Sequence, residues 1–340
     1  MRMRKLFVAV ALVVATVTGT VAGAPPAGAV PTPPAQPASG PGGAGYPWSS
    51  YVYRVRSFPN YDLNYATYEP AGWVGGGTAP TTSKIVVFMH GYTYNTTPYY
   101  QEWLRHLVRK GNTVIFPVYQ TQYTPPAYFT GNAIWSIKDA LAYQSAVATV
   151  KPDTAAGMTL MSHSWGGPIS ANVAARWQAN GLPQPKALLF AEPHNQTIDS
   201  SLAGIPSSTK IDCVVGNYDQ ITGRLGCDAL WAKLGHVSTA NKNYVWMFSD
   251  YYGYPDLVSD HNAPSEITCC SIDALDWYGF WKLGDALRDC GFLGTSCGTA
   301  LGNTAAQRNM GTWSDGTPVL QLQVTTSPPA CPPGSYALGC

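Results

Sequence analysis

The chain has 340 residues, of which 45% are hydrophobic, 12% aromatic and only 11% charged, with a formal net charge of +1 at pH 7. This balance excludes a disordered chain and allows a sizeable core. It also offers no bulk positive charge with which to hold nucleic acid or an anionic membrane.

The chain opens Met1-Arg2-Met3-Arg4-Lys5, stays apolar from Leu6 to Val21, and then presents small residues at Ala27-Gly28-Ala29. A basic start, a short apolar run and a small-residue site describe a secretory signal peptide over residues 1–29. A permanent anchor is the poorer reading, because Thr16, Thr18 and Gly19 interrupt the run. No later segment offers the ~20 apolar residues that span a bilayer. Without Arg2, Arg4 and Lys5 the basic count falls from 20 to 17 against 19 acidic residues. The expectation is a secreted, extracellular monomer with no nucleic-acid partner and no stable membrane anchor. Residues 30–47, rich in Pro, Gly and Ala, read as a disordered linker.

A domain over residues 48–290 follows. Tyr51–Phe58 and Leu63–Glu69 alternate as an antiparallel pair does. Lys84–Met89, Asn112–Val118, Met158–Ser162, Lys186–Ala191, Ile211–Val215 and Asn243–Phe248 are near-continuous apolar runs, the mark of strands buried on both faces. Helical stretches at Pro98–Arg109, Asn132–Val150, Gly167–Asn180 and Ile272–Arg288 separate them. This alternation predicts an α/β fold with a mostly parallel central sheet and helices on both faces. Only about twenty residues lie between Ala191 and Ile211, too few for a cap domain. Residues 291–340 form a Cys-containing extension with one strand-like piece, Pro318–Thr325.

All eight cysteines lie in the C-terminal half. In an exported protein they read as disulfides, and their spacing fits no zinc site. Short loops favour Cys290–Cys297 and Cys331–Cys340, with Cys213–Cys227 as a further pair.

At the end of the third buried run the sequence reads Ser162-His163-Ser164-Trp165-Gly166-Gly167-Pro168. A strand turning sharply into a helix exposes one hydroxyl here, and the glycines keep side chains out of its way. Ser164 is therefore the candidate nucleophile. A serine needs a base, and the base needs an acid to hold its tautomer. His261, in the loop before the last helix, is the candidate base, with His194 as runner-up. Asp219, in the loop after Ile211–Val215, is the candidate acid, against Asp228 and Asp260. His163 reads as a packing residue turned away from the hydroxyl. The backbone N–H groups of Trp165 and Tyr92 are expected to meet the oxyanion, Tyr92 from the loop His90-Gly91-Tyr92-Thr93. Aromatic side chains at Tyr92, Tyr94, Tyr119, Phe129, Trp165 and Tyr252, with His194, are expected around the substrate cleft.

From about Tyr51 to Arg288, the His90-Gly91-Tyr92 loop, the Ser162–Gly167 elbow, Asp219 and Asp260-His261 together resemble the α/β-hydrolases of the lipase and esterase type. The Gly91-Tyr92-Thr93 loop is also similar to that of secreted bacterial cutinases and polyester hydrolases. The resemblance implies a serine hydrolase that cleaves carboxylic esters through an acyl-serine, without a cofactor or metal. A serine peptidase or amidase on the same fold, and a non-catalytic polymer-binding protein, are the alternative readings.

Overall fold

A computed structural model describes residues 28, 30–266 and 271–340. The expected signal peptide, apart from Gly28, and two of the cysteines, Cys269 and Cys270, lie outside the described residues. Strands β1 (Trp48–Arg56) and β2 (Tyr65–Trp73) form an antiparallel pair. Next come β3 (Thr82–Met89), helix α1 (Gln101–Arg109), β4 (Asn112–Pro117), helix α2 (Phe129–Val147), the two-residue β5 (Lys151–Pro152) and β6 (Met158–His163). Helix α3 (Gly166–Ala175), β7 (Pro185–Ala191), β8 (Lys210–Gly216), α4 (Leu225–Trp231) and β9 (Lys242–Met247) continue the alternation. A π-helical turn, Asp276–Phe280, leads into α5 (Trp281–Leu293). The short α6 (Cys297–Ala300), α7 (Ala305–Arg308) and β10 (Gln323–Thr325) follow.

The sheet runs β1-β2-β4-β3-β6-β7-β8-β9-β10, with β5 paired to β3 off this path. Its centre, from β4 to β9, is parallel, and β1, β2 and β10 add antiparallel edges. Alternate residues of each central strand enter two separate cores. Val86 and Phe88 of β3 pack with Leu104 and Leu107 of α1 and Leu283 and Leu287 of α5. Ile85, Val87 and Met89 pack with Ala133 and Ile137 of α2 and Ile169 and Val173 of α3 on the opposite face. Burial on both faces is why the strands read as unbroken apolar runs, and it is the mixed α/β architecture expected from them.

Three details differ from the expectation, each for a local reason. Helix α2 starts three residues early and stops at Val147, because Glu69 Oε1 accepts the N–H groups of Thr149 and Val150. An outside acceptor there removes the incentive to continue the helical ladder. The segment after α3 closes as a 3-10 turn, Gln178–Asn180, ending in a left-handed Gly181.

The third difference is larger. Residues 31–47, expected to be disordered, are ordered against α5, the end of α1 and the π-helical turn. Gly42 N–H donates to Asp285, Lys110 Nζ to Gly40 O, Tyr278 OH to Ala35 O and Tyr254 N–H to Pro31 O. A proline-rich stretch has little backbone freedom to lose on ordering, so a few such bonds suffice to hold it. Pro31 to Cys340 accordingly forms one compact unit, and the 291–340 extension is part of it. Its β10 extends the sheet and its Trp313 is buried against Asp250.

Disulfides join Cys213 to Cys227, Cys290 to Cys297 and Cys331 to Cys340. Residues 192–209, between β7 and β8, contain only turns and bends, with no inserted cap. No helix among the described residues is long and apolar enough to cross a membrane.

Candidate active site

Parallel register aligns the strand ends. Met89 lies beside Ser162, His163 beside Ala191, and Ala191 beside Val214. The loops that follow β3, β6, β7 and β8 therefore emerge side by side, at the carboxyl edge where open α/β sheets gather reactive groups.

Ser164 turns the chain from β6 into α3 with a φ of +53°, a left-handed conformation costly for a side chain with a Cβ. Its N–H donates to Ala191 O, and its carbonyl accepts from Gly167 N and His194 N. A Cβ at Gly166 would sit 2.1 Å from Met89 O, so only glycine lets the elbow pass this close to β3. Ser162, two residues before the elbow serine, donates its hydroxyl to Leu189 O. The strain is thus locked from the two neighbouring strands, β3 and β7.

The three expected residues meet. His261 Nε2 lies 2.9 Å from Ser164 Oγ, and His261 Nδ1 lies 3.0 Å from Asp219 Oδ2. Asp219 is fully buried, and Ser164 and His261 are 5% and 7% exposed, enough for a small substrate group to reach the hydroxyl. Burial alone would raise the Asp219 pKa. Hydrogen bonds from His261 and Thr222 outweigh it and bring the carboxyl down to about 2. Asp219 Oδ1 accepts from Ile221 N and Thr222 N, and Thr222 Oγ1 donates to Oδ2. A carboxylate so fixed orients the imidazole with Nδ1 protonated and Nε2 free to take the serine proton. The competing acids have other tasks: Asp228 pairs with Arg224, and Asp260 closes a turn on Asn262 N.

His163 corrects the expectation of a packing residue turned away from the site. It is buried, yet it lines the cavity over Ser164 and its ring centroid is 4.9 Å from that of His261. Gly91 N–H donates to Tyr100 OH, Tyr100 OH lies 2.8 Å from His163 Nδ1, and His163 Nε2 lies 2.7 Å from His261 O. Burial lowers the His163 pKa to about 3, so the ring is neutral, accepting at Nδ1 and donating at Nε2. This relay ties the loop after β3 to the backbone of the base. Neither Tyr100 nor Thr222 stood out in the sequence. The Asp219-x-x-Thr222 spacing, suited to a side chain capping backbone N–H groups just downstream, was the available signal.

A cavity of about 290 Å³ opens over Ser164. Tyr92, Tyr94, Trp165 and His194 line it as expected, together with Thr93, His163 and Ile221. His194 is stacked on Trp165 at 4.4 Å, and its Nδ1 accepts from Gln196 N. The runner-up base is thus a wall of the cavity. Tyr119 and Phe129, expected at the rim, are fully buried core residues. Tyr252 does not join the cleft: it stands outside this lining, and its hydroxyl is bound to Asp315 and Thr317 of the C-terminal extension. Its tyrosine-rich segment found partners in a part of the chain whose position the sequence did not give.

Tyr92 and Trp165, the expected oxyanion donors, both line the cavity with Ser164, their rings 5.8 Å apart. The pair of ring nitrogens on His163 and on His261 are each already engaged, though these two rings and Glu192 form a cluster of metal-binding size. No protein-family model matches this chain, and no curated protein sequence matches it.

Proposed function

We propose that the chain is a secreted serine hydrolase of carboxylic esters, on an α/β-hydrolase fold. One observation carries the reading: the unbroken hydrogen-bond line Ser164 Oγ, His261 Nε2, His261 Nδ1, Asp219 Oδ2 at the floor of an open cavity. In the proposed reaction Ser164 Oγ attacks the ester carbonyl while His261 Nε2 takes its proton. The carbonyl oxygen, now negative, is met by the N–H groups of Tyr92 and Trp165. His261 returns the proton to the departing alcohol, leaving an acyl-serine. A water then repeats the sequence from the other side, losing its proton to His261 and releasing the acid.

The cavity favours esters over peptides. None of its lining residues is Asp, Glu, Lys or Arg, so it offers no charged clamp for a peptide terminus. Its walls are aromatic, and the absence of a cap between β7 and β8 leaves it accessible to bulky acyl or alcohol groups. The test is a fluorophosphonate probe followed by p-nitrophenyl esters of increasing acyl length against peptide anilides. A Ser164 adduct and faster ester turnover are expected. No adduct on folded protein overturns the enzyme reading, and faster anilide turnover replaces the esterase with a peptidase.

A further inference from the structure

Glu192, the residue directly after β7, is fully buried, and neither of its carboxyl oxygens has a hydrogen-bond partner among the described residues. An unpaired buried carboxyl is costly, far more so than an apolar side chain would be there. The backbone also bends to place it, with a φ of +49°. The opposite wall has been cleared for it: a Cβ at Gly216 would lie 2.4 Å from Glu192 Oε1. Two local costs and a matching recess converge on one side chain.

Its neighbour explains the placement. Glu192 Oε2 is 3.9 Å from His261 Nδ1, the same nitrogen that Asp219 holds at 3.0 Å. Thr222 joins Asp219 to the backbone that carries Glu192, since its hydroxyl lies 2.7 Å from Asp219 Oδ2 and 3.0 Å from the backbone carbonyl oxygen of Glu192. Two carboxylates sharing one buried imidazole do not both ionise. Burial first, then the charges of Asp219 and Asp260, push the Glu192 pKa well up, whereas Asp219 is held down by its hydrogen bonds. The pair therefore divides into one charged acid and one neutral acid around a single nitrogen. The neighbouring His163 has both ring nitrogens engaged elsewhere and makes no claim on Glu192.

We propose that Glu192 is a second positioning acid of the relay, supporting the Nδ1 edge of His261 and taking over that nitrogen when Asp219 is removed. The inference rests on the hydrolase reading above. Removing Asp219 frees the Nδ1 edge and takes away one of the two charges that, after burial, hold Glu192 neutral, and the side chain then needs to close about 1 Å to hydrogen-bond Nδ1.

The test is a double-mutant cycle read by the rate of fluorophosphonate labelling of Ser164, in the full chain. Glu192→Gln keeps the shape and removes the ionisable group. It is expected to slow labelling a few-fold in the wild type, and roughly tenfold or more in the Asp219→Ala background. Equal effects in both backgrounds overturn the proposal, since a merely structural residue acts alike in each. The downfield proton signal of His261 Nδ1–H gives a second readout. It is expected to survive in Asp219→Ala and vanish in Asp219→Ala/Glu192→Gln, and its loss in the single variant also overturns the proposal. Should Asp219→Ala fail to fold, Asp219→Asn carries the same cycle. Absence of labelling in the wild type is a different failure, that of the hydrolase reading itself.

Discussion

Two buried hydroxyl–imidazole–carboxylate lines run through this molecule. One is Ser164–His261–Asp219. The other is Tyr46–His106–Asp285, in which His106 Nδ1 lies 3.1 Å from Tyr46 OH and His106 Nε2 lies 2.8 Å from Asp285 Oδ2. Their distances barely differ. Their surroundings do: the first opens on a cavity beside a strained elbow, while the second is sealed between α1, α5 and the 31–47 segment. Asp285 there also accepts from Gly42 N–H and faces Arg288. Burial lowers the His106 pKa despite the adjacent Asp285, so the ring stays neutral and serves as a hydrogen-bonding strut. The same three groups therefore stitch the chain together in one place and border an open cavity in the other, where the proposed acyl transfer would use them. What separates the two lines is access: a cavity reaches Ser164, while Tyr46 and His106 are packed over.

The comparison can be broken most directly at the nucleophile and its base. Ser164→Ala and His261→Ala are each expected to lower ester turnover by roughly 10⁴–10⁶-fold with melting unchanged to within a few degrees. A loss below a hundredfold in steady-state assays would move the chemistry elsewhere. The mirror experiment is His106→Gln, expected to cost about 3 kcal/mol of stability by leaving Asp285 short of a partner. Urea unfolding measures the cost, and Ser164 labelling of the folded fraction should keep its wild-type rate. A matching fall in labelling would erase the distinction between the two lines.

Smaller effects sharpen it. Thr222→Val removes a hydroxyl from Asp219 and is expected to reduce kcat about tenfold with little change in KM, the pattern of weakened positioning. Unchanged kcat would make Thr222 a packing residue. The smallest effect is a pH dependence at His163. The ring's pKa is about 3 in the fold against an ordinary 6.5, so below pH 6.5 the unfolded chain takes up a proton that the native state refuses. Native stability contributed by the neutral ring is thus present above pH 6.5 and drains away as pH falls. The stability gap between wild type and His163→Gln should narrow by up to about 1.4 kcal/mol per pH unit below 6.5. A gap constant from pH 7.5 to 5 would mean the ring is protonated in the fold.

Much of this was legible in the sequence because it is local. Apolar runs marked the central strands, and residue types at their ends marked Ser164, Asp219 and His261. The three disulfides followed from short spacing. What escaped is what depends on convergence. Glu192, Tyr100 and Thr222 carry no pattern of their own, and gain meaning only when parallel register sets the ends of β6, β7 and β8 abreast. Tyr252 read as a rim aromatic because its partner Asp315 lies in an extension whose docking no periodicity foretold. The 31–47 segment read as disordered because composition reports its lack of apolar mass, and says nothing of the backbone bonds that hold it.

One of those distant contacts has a consequence of its own. The loop carrying Asp219 is tethered from the C-terminal extension: Leu338 N–H donates to Asp219 O, Leu338 O accepts from Arg224 N, and the Cys331–Cys340 bridge closes the hairpin-like clip around them. The ribosome makes the elbow and the imidazole loop long before it makes this clip, and the clip tightens only where thiols are oxidised. A nascent chain would thus form the Ser164 and His261 loops before the backbone of the Asp219 loop gains this tether. The loop that bears Asp219 is steadied by residues synthesised more than a hundred positions after it, and by a bridge that forms only under oxidising conditions.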